Sequence, residues 1–134
     1  MRLLDEGMYR RVFKVKNCDL VIKFPTVVKC LDSNTVSKAS GIEHSTAEIK
    51  RLRRLLKAGI PRRFLPEVFY FDKKSGVIVM RHYTEFDDFE SQADAMGEMI
   101  GRLIQKLTRV RCDDIHTENV RQQGEHAVII DLGM

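Results

Sequence analysis

Residues 113–134 read "DDIHTENVRQQGEHAVIIDLGM" and carry the residue types that phosphate chemistry needs. Asp114 and Asn119 lie five residues apart, and Asp131 follows a short apolar run and precedes Leu-Gly. Carboxylate and amide oxygens are the ligands that Mg²⁺ prefers, and a further carboxylate can accept a hydroxyl proton. Each residue alone also fits a solvated loop or turn. Together they favour a metal-assisted phosphoryl-transfer site.

A lysine in the middle of an apolar strand points to the same chemistry. Lys23 lies within "LVIKFP" at residues 20–25. On the solvent side of the strand it would need no partner, but on the inward side a buried ammonium requires one. Glu48 precedes Leu52 by four residues, so it shares the apolar face of the following helix. We therefore expect Lys23 and Glu48 to pair.

The hydrophobic patterning predicts the element order β-β, α, β-β, α, loop, β-β. Ser40 and Glu43 form a capping-box pattern at the start of the first helix, and Gly59 should end that helix. The second helix should begin near Ser91, which starts another Ser-x-x-Asp pattern. The strand pairs are expected at residues 8–28, with a turn at 16–19, at residues 65–83, and at residues 119–131. This order predicts an α+β fold with antiparallel sheets.

Composition limits the class of protein. The 134 residues are 43% apolar and 31% charged, which suits one domain, or two small lobes sharing a cleft, with a core that needs no disulfides. The longest apolar runs fall short of a membrane span, and no signal peptide is recognised, so we expect a cytoplasmic protein. Three widely spaced cysteines fit reduced thiols. They are Cys18, Cys30 and Cys112.

The net charge of +4 reflects a local excess of basic residues in the run 51–63. This run fits a solvated helix face. It also fits a patch for phosphates, nucleic acid or an acidic partner. The chain has no Trp, and its aromatic residues do not interleave with the basic run, so we expect that nucleic acid is not a partner.

The chain resembles the protein-kinase-like superfamily nearly from end to end. The matching motifs follow in family order: "GMYRRVFKV" the glycine-rich loop, "LVIKF" the V-A-I-K strand, "AEIKRL" the αC segment, "VIVMRHY" the fifth strand and hinge, "DDIHTENV" the catalytic loop, and "VIIDLGM" the D-F-G turn. The Asp-x-His-x-x-Asn form is nearer the aminoglycoside-phosphotransferase and atypical kinase branch than typical Ser/Thr kinases. The resemblance implies one minimal domain over residues 1–134. Residues 1–83 would form an N-lobe-like antiparallel sheet with an αC-type helix, and residues 84–134 a much reduced C-lobe.

The resemblance also implies ATP and Mg²⁺ as cofactors and a role for each site residue. Asp114 would be the catalytic base, with His116 as a helper on the phosphate side. Asn119 and Asp131 would be the metal ligands. Lys23, held by Glu48, would contact the α- and β-phosphates. The nucleotide would further meet Gly7, Val12, Val21, the gatekeeper Met80, and the backbone of Arg81 and Tyr83.

Departures from the family pattern leave two functions open. Only Gly7 matches the glycine-rich loop, because Asp5 and Arg10 stand at its first and third glycine positions, and Arg10 or Arg11 could supply charge instead. Only Met134 follows Gly133, so we expect a protein partner or a second copy to complete the reduced C-lobe. The first function is ATP-dependent phosphoryl transfer to a hydroxyl of a protein or small molecule. The second is a weak or inactive pseudokinase-like module that binds and inhibits or regulates a protein partner.

Overall fold

A computed structural model describes residues 1–7, 9–25, 28–29, 35–36, 38–84, 89–108, 120–123 and 126–129. The chain divides into two compact units. The first unit comprises Met1–Ile49 and Glu67–His82, and the second comprises Lys50–Pro66 and Tyr83–Leu132. The elements in chain order are β1 Arg2–Glu6, β2 Arg10–Lys14, β3 Leu20–Pro25, β4 Val28–Lys29, β5 Thr35–Val36, α1 Lys38–Lys57, a 3-10 helix Arg62–Phe64, β6 Val68–Phe71, β7 Ile78–Arg81, α2 Phe89–Thr108, β8 Val120–Gln123 and β9 His126–Ile129.

The first unit is built on a five-stranded sheet with the order β1-β2-β3-β7-β6. All neighbouring strands in this sheet are antiparallel. Two short two-stranded sheets, β4-β5 and β8-β9, are also antiparallel. The α+β fold class with antiparallel sheets is therefore confirmed.

Two hairpins of the sheet have well-defined turns, and the first lies at the predicted residues 16–19. Between β2 and β3, Asn17 adopts the left-handed conformation with φ of 60°, which Asn tolerates better than most residues. Between β6 and β7, the Gly76 amide donates to the Asp72 carbonyl at 2.7 Å. The Asp72 carboxylate accepts the Ser75 hydroxyl at 2.8 Å and the Lys74 amide at 3.1 Å. These hydrogen bonds, the one from Ser75 first, lower the pKa of Asp72.

The register of the five-stranded sheet shows which side chains share the face that carries Lys23. Val12 pairs with Lys23, which in turn pairs with Ile78 across the next strand. Val21 pairs with Met80 one step along. Because alternate residues of a strand point to the same face, all five side chains lie on one face. Four of them are buried and Val12 is half-buried, so Lys23 is placed in an apolar setting.

The start of α1 lies close against the strands of the first unit. A Cβ atom at Gly41 would lie 2.7 Å from the Tyr9 carbonyl oxygen and 2.9 Å from the Pro25 Cβ. The Tyr9 ring also stacks on the His44 ring, with centroids 4.7 Å apart. Only glycine allows this close approach at position 41.

The structure corrects the two predicted helix starts and confirms the predicted end of α1. Helix α1 begins at Lys38 and α2 at Phe89, so Ser40 and Ser91 lie in the first turns rather than at the N-caps. The predicted end at Gly59 is correct. Gly59, with φ of 99°, donates its amide to the Leu56 carbonyl, and the next amide reaches the Leu55 carbonyl.

The second unit has its own buried core. Ile100 and Ile104 of α2 are 0% and 1% exposed, and Val120 of β8 and Val128 of β9 are fully buried. The pairing of β8 with β9 confirms the predicted last hairpin. Among the described residues, neither long helix has the apolar stretch that a membrane crossing needs.

Candidate functional site

The structure pairs Lys23 with Glu48, as predicted. The Lys23 Nζ donates to the Glu48 Oε1 at 2.8 Å. The side chains are only 7% and 5% exposed. Strand β3 directs Lys23 inward because it lies two residues after Val21 and shares its buried face. Helix α1 presents Glu48 next to the buried residue Ile49. Each charge thus compensates the desolvation of the other.

Arg10 is a second partner of Glu48 that sequence analysis missed. Its Nη1 donates to the Glu48 Oε2, and the Arg10 side chain is 10% exposed. The sequence left open whether Arg10 or Arg11 supplies charge to the phosphates in place of the missing glycines. Arg11 points to the opposite face, where it pairs with the exposed Glu6 at 3.0 Å. The alternation of β2 was a usable signal, because Arg10 is two residues before Val12 and shares its face.

The electrostatics of the cluster favour an ionised Glu48. Burial by itself raises the pKa of this carboxyl group. The charges of Lys23 and then Arg10, together with their hydrogen bonds, outweigh burial and lower the pKa below its ordinary value. Glu48 is therefore a carboxylate at neutral pH, held by two cations on one face of the sheet.

The predicted apolar contacts of the nucleotide lie near this cluster in the sheet. Val12 and Val21 flank Lys23 on the same face, and Met80, the predicted gatekeeper, is 3% exposed beside Val21. Gly7 lies outside this group, in the connection from β1 to β2. Its amide donates to the Arg10 carbonyl at 2.9 Å.

The two predicted hinge residues have different surroundings. The Arg81 amide donates to the Glu67 carbonyl at 2.9 Å, and its side chain pairs with the Glu67 carboxylate at 2.8 Å. Tyr83 is buried and belongs to the second unit. The contact of their backbone with adenine stays a prediction.

Four predicted catalytic and metal-binding residues lie outside the described residues. They are Asp114, His116, Asn119 and Asp131. In the part of the chain that the structure describes, no group of three or more His, Cys, Asp or Glu side chains is placed to hold a metal ion. The roles of these four residues remain predictions.

Comparison with known proteins identifies the fold. No protein-family model matches the chain, and no curated protein matches it. The chain is similar to the solved structure of a Ser/Thr kinase domain described as "PpkA-294 apo form", with a TM-score of 0.56 over 98% of its length. The chain has a protein-kinase-like fold. The two sequences are 14% identical, and the chain spans 57% of that structure, so the similarity concerns the fold alone.

Within this fold, the cluster has a definite chemical capacity. A lysine ammonium fixed by a carboxylate presents positive charge at a set position, instead of on a mobile side chain. A buried setting strengthens the attraction of such a charge for an anion. The arrangement is suited to neutralising phosphate oxygens beside an apolar surface.

Proposed function

We propose that this protein is an ATP-dependent phosphotransferase that moves the γ-phosphoryl group to a hydroxyl of a protein or small molecule. The observation that supports the proposal is the buried Lys23–Glu48 pair on the inward face of a kinase-like sheet. Lysine and glutamate in this relation are one of the parts that kinases use to orient ATP phosphates. Buried ion pairs also serve stability alone, and nucleotide binding distinguishes the two roles.

On the nucleotide side, Lys23 contacts the α- and β-phosphates while Glu48 sets its position. Val12 and Val21 cover the adenine ring, with Met80 at the gatekeeper position. Lys23, Val12, Val21 and Met80 share one face of the sheet. This shared face supports their assignment to one ligand. The backbone of Arg81 and Tyr83 completes the proposed adenine contacts, and Gly7 lies in the loop over the phosphates.

On the transfer side, Asn119 and Asp131 would hold Mg²⁺, since an amide and a carboxylate oxygen suit this ion. When bound, the ion offsets the negative charge of the phosphates. Asp114 accepts the proton of the acceptor hydroxyl. The acceptor oxygen then bonds to the γ-phosphorus as the bond to the β–γ bridging oxygen breaks and ADP leaves. His116 assists on the phosphate side.

The second candidate is a pseudokinase-like module that binds and regulates a protein partner. It is favoured by Arg10, which stands at the third glycine position of the loop pattern and binds Glu48. Glycine lets a loop backbone approach phosphates closely, and a residue with a side chain does so less well. In either case we propose an N-lobe-like part over residues 1–83 and a C-lobe-like part over residues 84–134.

Calorimetric titration of ATP with Mg²⁺ into wild type, Lys23→Met and Lys74→Met tests the proposal. Lys74 lies exposed in the β6–β7 turn, so its variant loses the same charge away from the sheet face. Losing a charged hydrogen bond to phosphate should raise the Kd of Lys23→Met about tenfold or more. Lys74→Met should bind like wild type.

The possible failures separate the two functions. Equal affinity of all three proteins would mean that Lys23 does not contact phosphate. No binding by wild type would reject the phosphotransferase and favour the partner-binding module. Circular dichroism should be unchanged in both variants, so that a change in affinity is not a change in folding.

A further inference from the structure

Residues 50–66 form the most strongly charged segment of the chain. They contain seven basic and no acidic residues. The remainder of the chain has 16 basic and 19 acidic residues, a net charge of −3 against +4 for the whole. We call the cations of this segment the basic face. They are Lys50, Arg51, Arg53, Arg54, Lys57, Arg62 and Arg63.

The helix geometry turns most of these cations outward. At about 100° per residue, Lys50, Arg53, Arg54 and Lys57 fall within an arc of about 100° over two turns. All four are exposed. The opposite side of the helix is fixed by buried leucines, of which Leu52 is 7% exposed. The rotation of α1 is therefore set by its core contacts, and the cations cannot turn inward.

The 3-10 helix after α1 contributes two further exposed cations. Arg62 and Arg63 are exposed there, while Phe64 is 8% exposed. The guanidinium of Arg63 lies over the Phe64 ring, 4.7 Å from its centroid. This contact already restricts the Arg63 side chain, so Arg63 would lose little conformational entropy when it binds a ligand.

The described carboxylates of the protein do not neutralise the cations of the basic face. In the described part of the chain, none of the seven cations forms an ion pair with a carboxylate. The helix dipole favours only the cations in the last turn of α1, which are Arg54 and Lys57. Lys50 and Arg53, and the pair in the 3-10 helix, receive no such benefit.

We infer that the basic face binds a short, carboxylate-rich segment of a partner protein. Five of the seven cations are arginines, whose planar guanidinium binds carboxylates through two parallel hydrogen bonds. The face presents no exposed aromatic ring on which a base could stack, since Phe64 is buried. The rest of the chain has a net charge of −3, so it would repel a long polyanion that extends beyond the basic face. A short acidic segment would contact the basic face alone.

Fluorescence anisotropy with a fluorescein-labelled octaglutamate peptide tests this inference. Binding to the full chain is measured at about 50 mM salt, where surface charges are weakly screened. The test variant is Arg53→Gln with Arg54→Gln. The matched control is Arg2→Gln with Lys16→Gln, which removes two exposed cations of the first unit and gives the same net charge.

Losing two exposed ion pairs should raise the Kd of the test variant about fivefold to tenfold. The control variant should stay within about twofold of wild type. Equal weakening of both variants would overturn the inference, because net charge alone would then set the affinity. No binding of octaglutamate would also overturn it. Tighter binding of a short DNA duplex at the same salt would replace the proposed occupant with nucleic acid.

Discussion

Substituting Glu48 should destabilise the protein far more than substituting its lysine partner. In Glu48→Gln, Lys23 and Arg10 both lose the carboxylate that they contact on a buried face. Breaking one buried ion pair costs about 3–5 kcal/mol, because the lost partner no longer offsets the desolvation of the remaining charge. In Lys23→Met, Glu48 keeps its bond to Arg10, so the loss should be about 1–2 kcal/mol.

Urea unfolding followed by circular dichroism measures this difference. With a slope of about 2 kcal/mol per M, the midpoint should fall by about 2 M in Glu48→Gln and by less than about 1 M in Lys23→Met. Glu67→Gln is the matched control, since it removes a carboxylate whose ion pair with Arg81 is largely exposed. That midpoint should fall by less than about 0.5 M.

Two results would refute the reasoning. If Lys23→Met lowers the midpoint as much as Glu48→Gln, Arg10 does not neutralise Glu48 in the folded protein. If Glu48→Gln behaves like Glu67→Gln, the carboxylate is not buried among its partners. The comparison is valid when all variants show the same slope, because a changed slope indicates a different unfolded state.

Three further predictions concern pH, packing and chemistry. The pKa of Glu48 is lowered in the folded protein, so its ionised carboxylate stabilises the fold above the unfolded pKa of 4.5. This stability is lost as the pH falls through the folded pKa. The urea midpoint of wild type should therefore drop more between about pH 5 and about pH 3 than the midpoint of Glu48→Gln. Gly41→Ala should lower the Tm despite the higher helix propensity of Ala, because its Cβ would lie 2.7 Å from a carbonyl oxygen. Gly7→Ala is its control, with no atom closer than 3.8 Å, and a similar drop in both would refute the steric argument. Asp114→Asn should abolish phosphoryl transfer in a γ-phosphate assay yet keep Mg·ATP affinity, whereas loss of both would make Asp114 structural.

The Lys23–Glu48 pair could be predicted from the sequence because both residues interrupt apolar patterns. The strand pattern left open whether Lys23 faces solvent or the inside, but helical spacing placed Glu48 on the same face as Leu52. A buried charge needs a partner, and these two residues were each other's candidates. Arg10 was assigned no partner, because its position was compared with a glycine of the loop motif instead of with the alternation of β2.

Strand β1 and the helix starts could not be predicted correctly from the sequence pattern. Strand β1 was not predicted, because all five of its residues are exposed and its sequence does not alternate. It is held at the sheet edge by its pairing with β2, which is a tertiary contact. Both helix starts were placed too late, since Ser is acceptable both at an N-cap and in the first turn. The proposed roles of Asp114, Asn119 and Asp131 rest on sequence order alone.

Titration of ATP into wild type and Asp131→Asn, each with Mg²⁺ and with a chelator, tests the central claim most directly. We predict that wild type binds ATP only with the metal and that Asp131→Asn loses this binding. Binding that survives both chelation and the substitution would contradict the metal site. No binding by wild type would contradict the nucleotide site, and the protein should then be studied as a partner-binding module with a kinase-like fold.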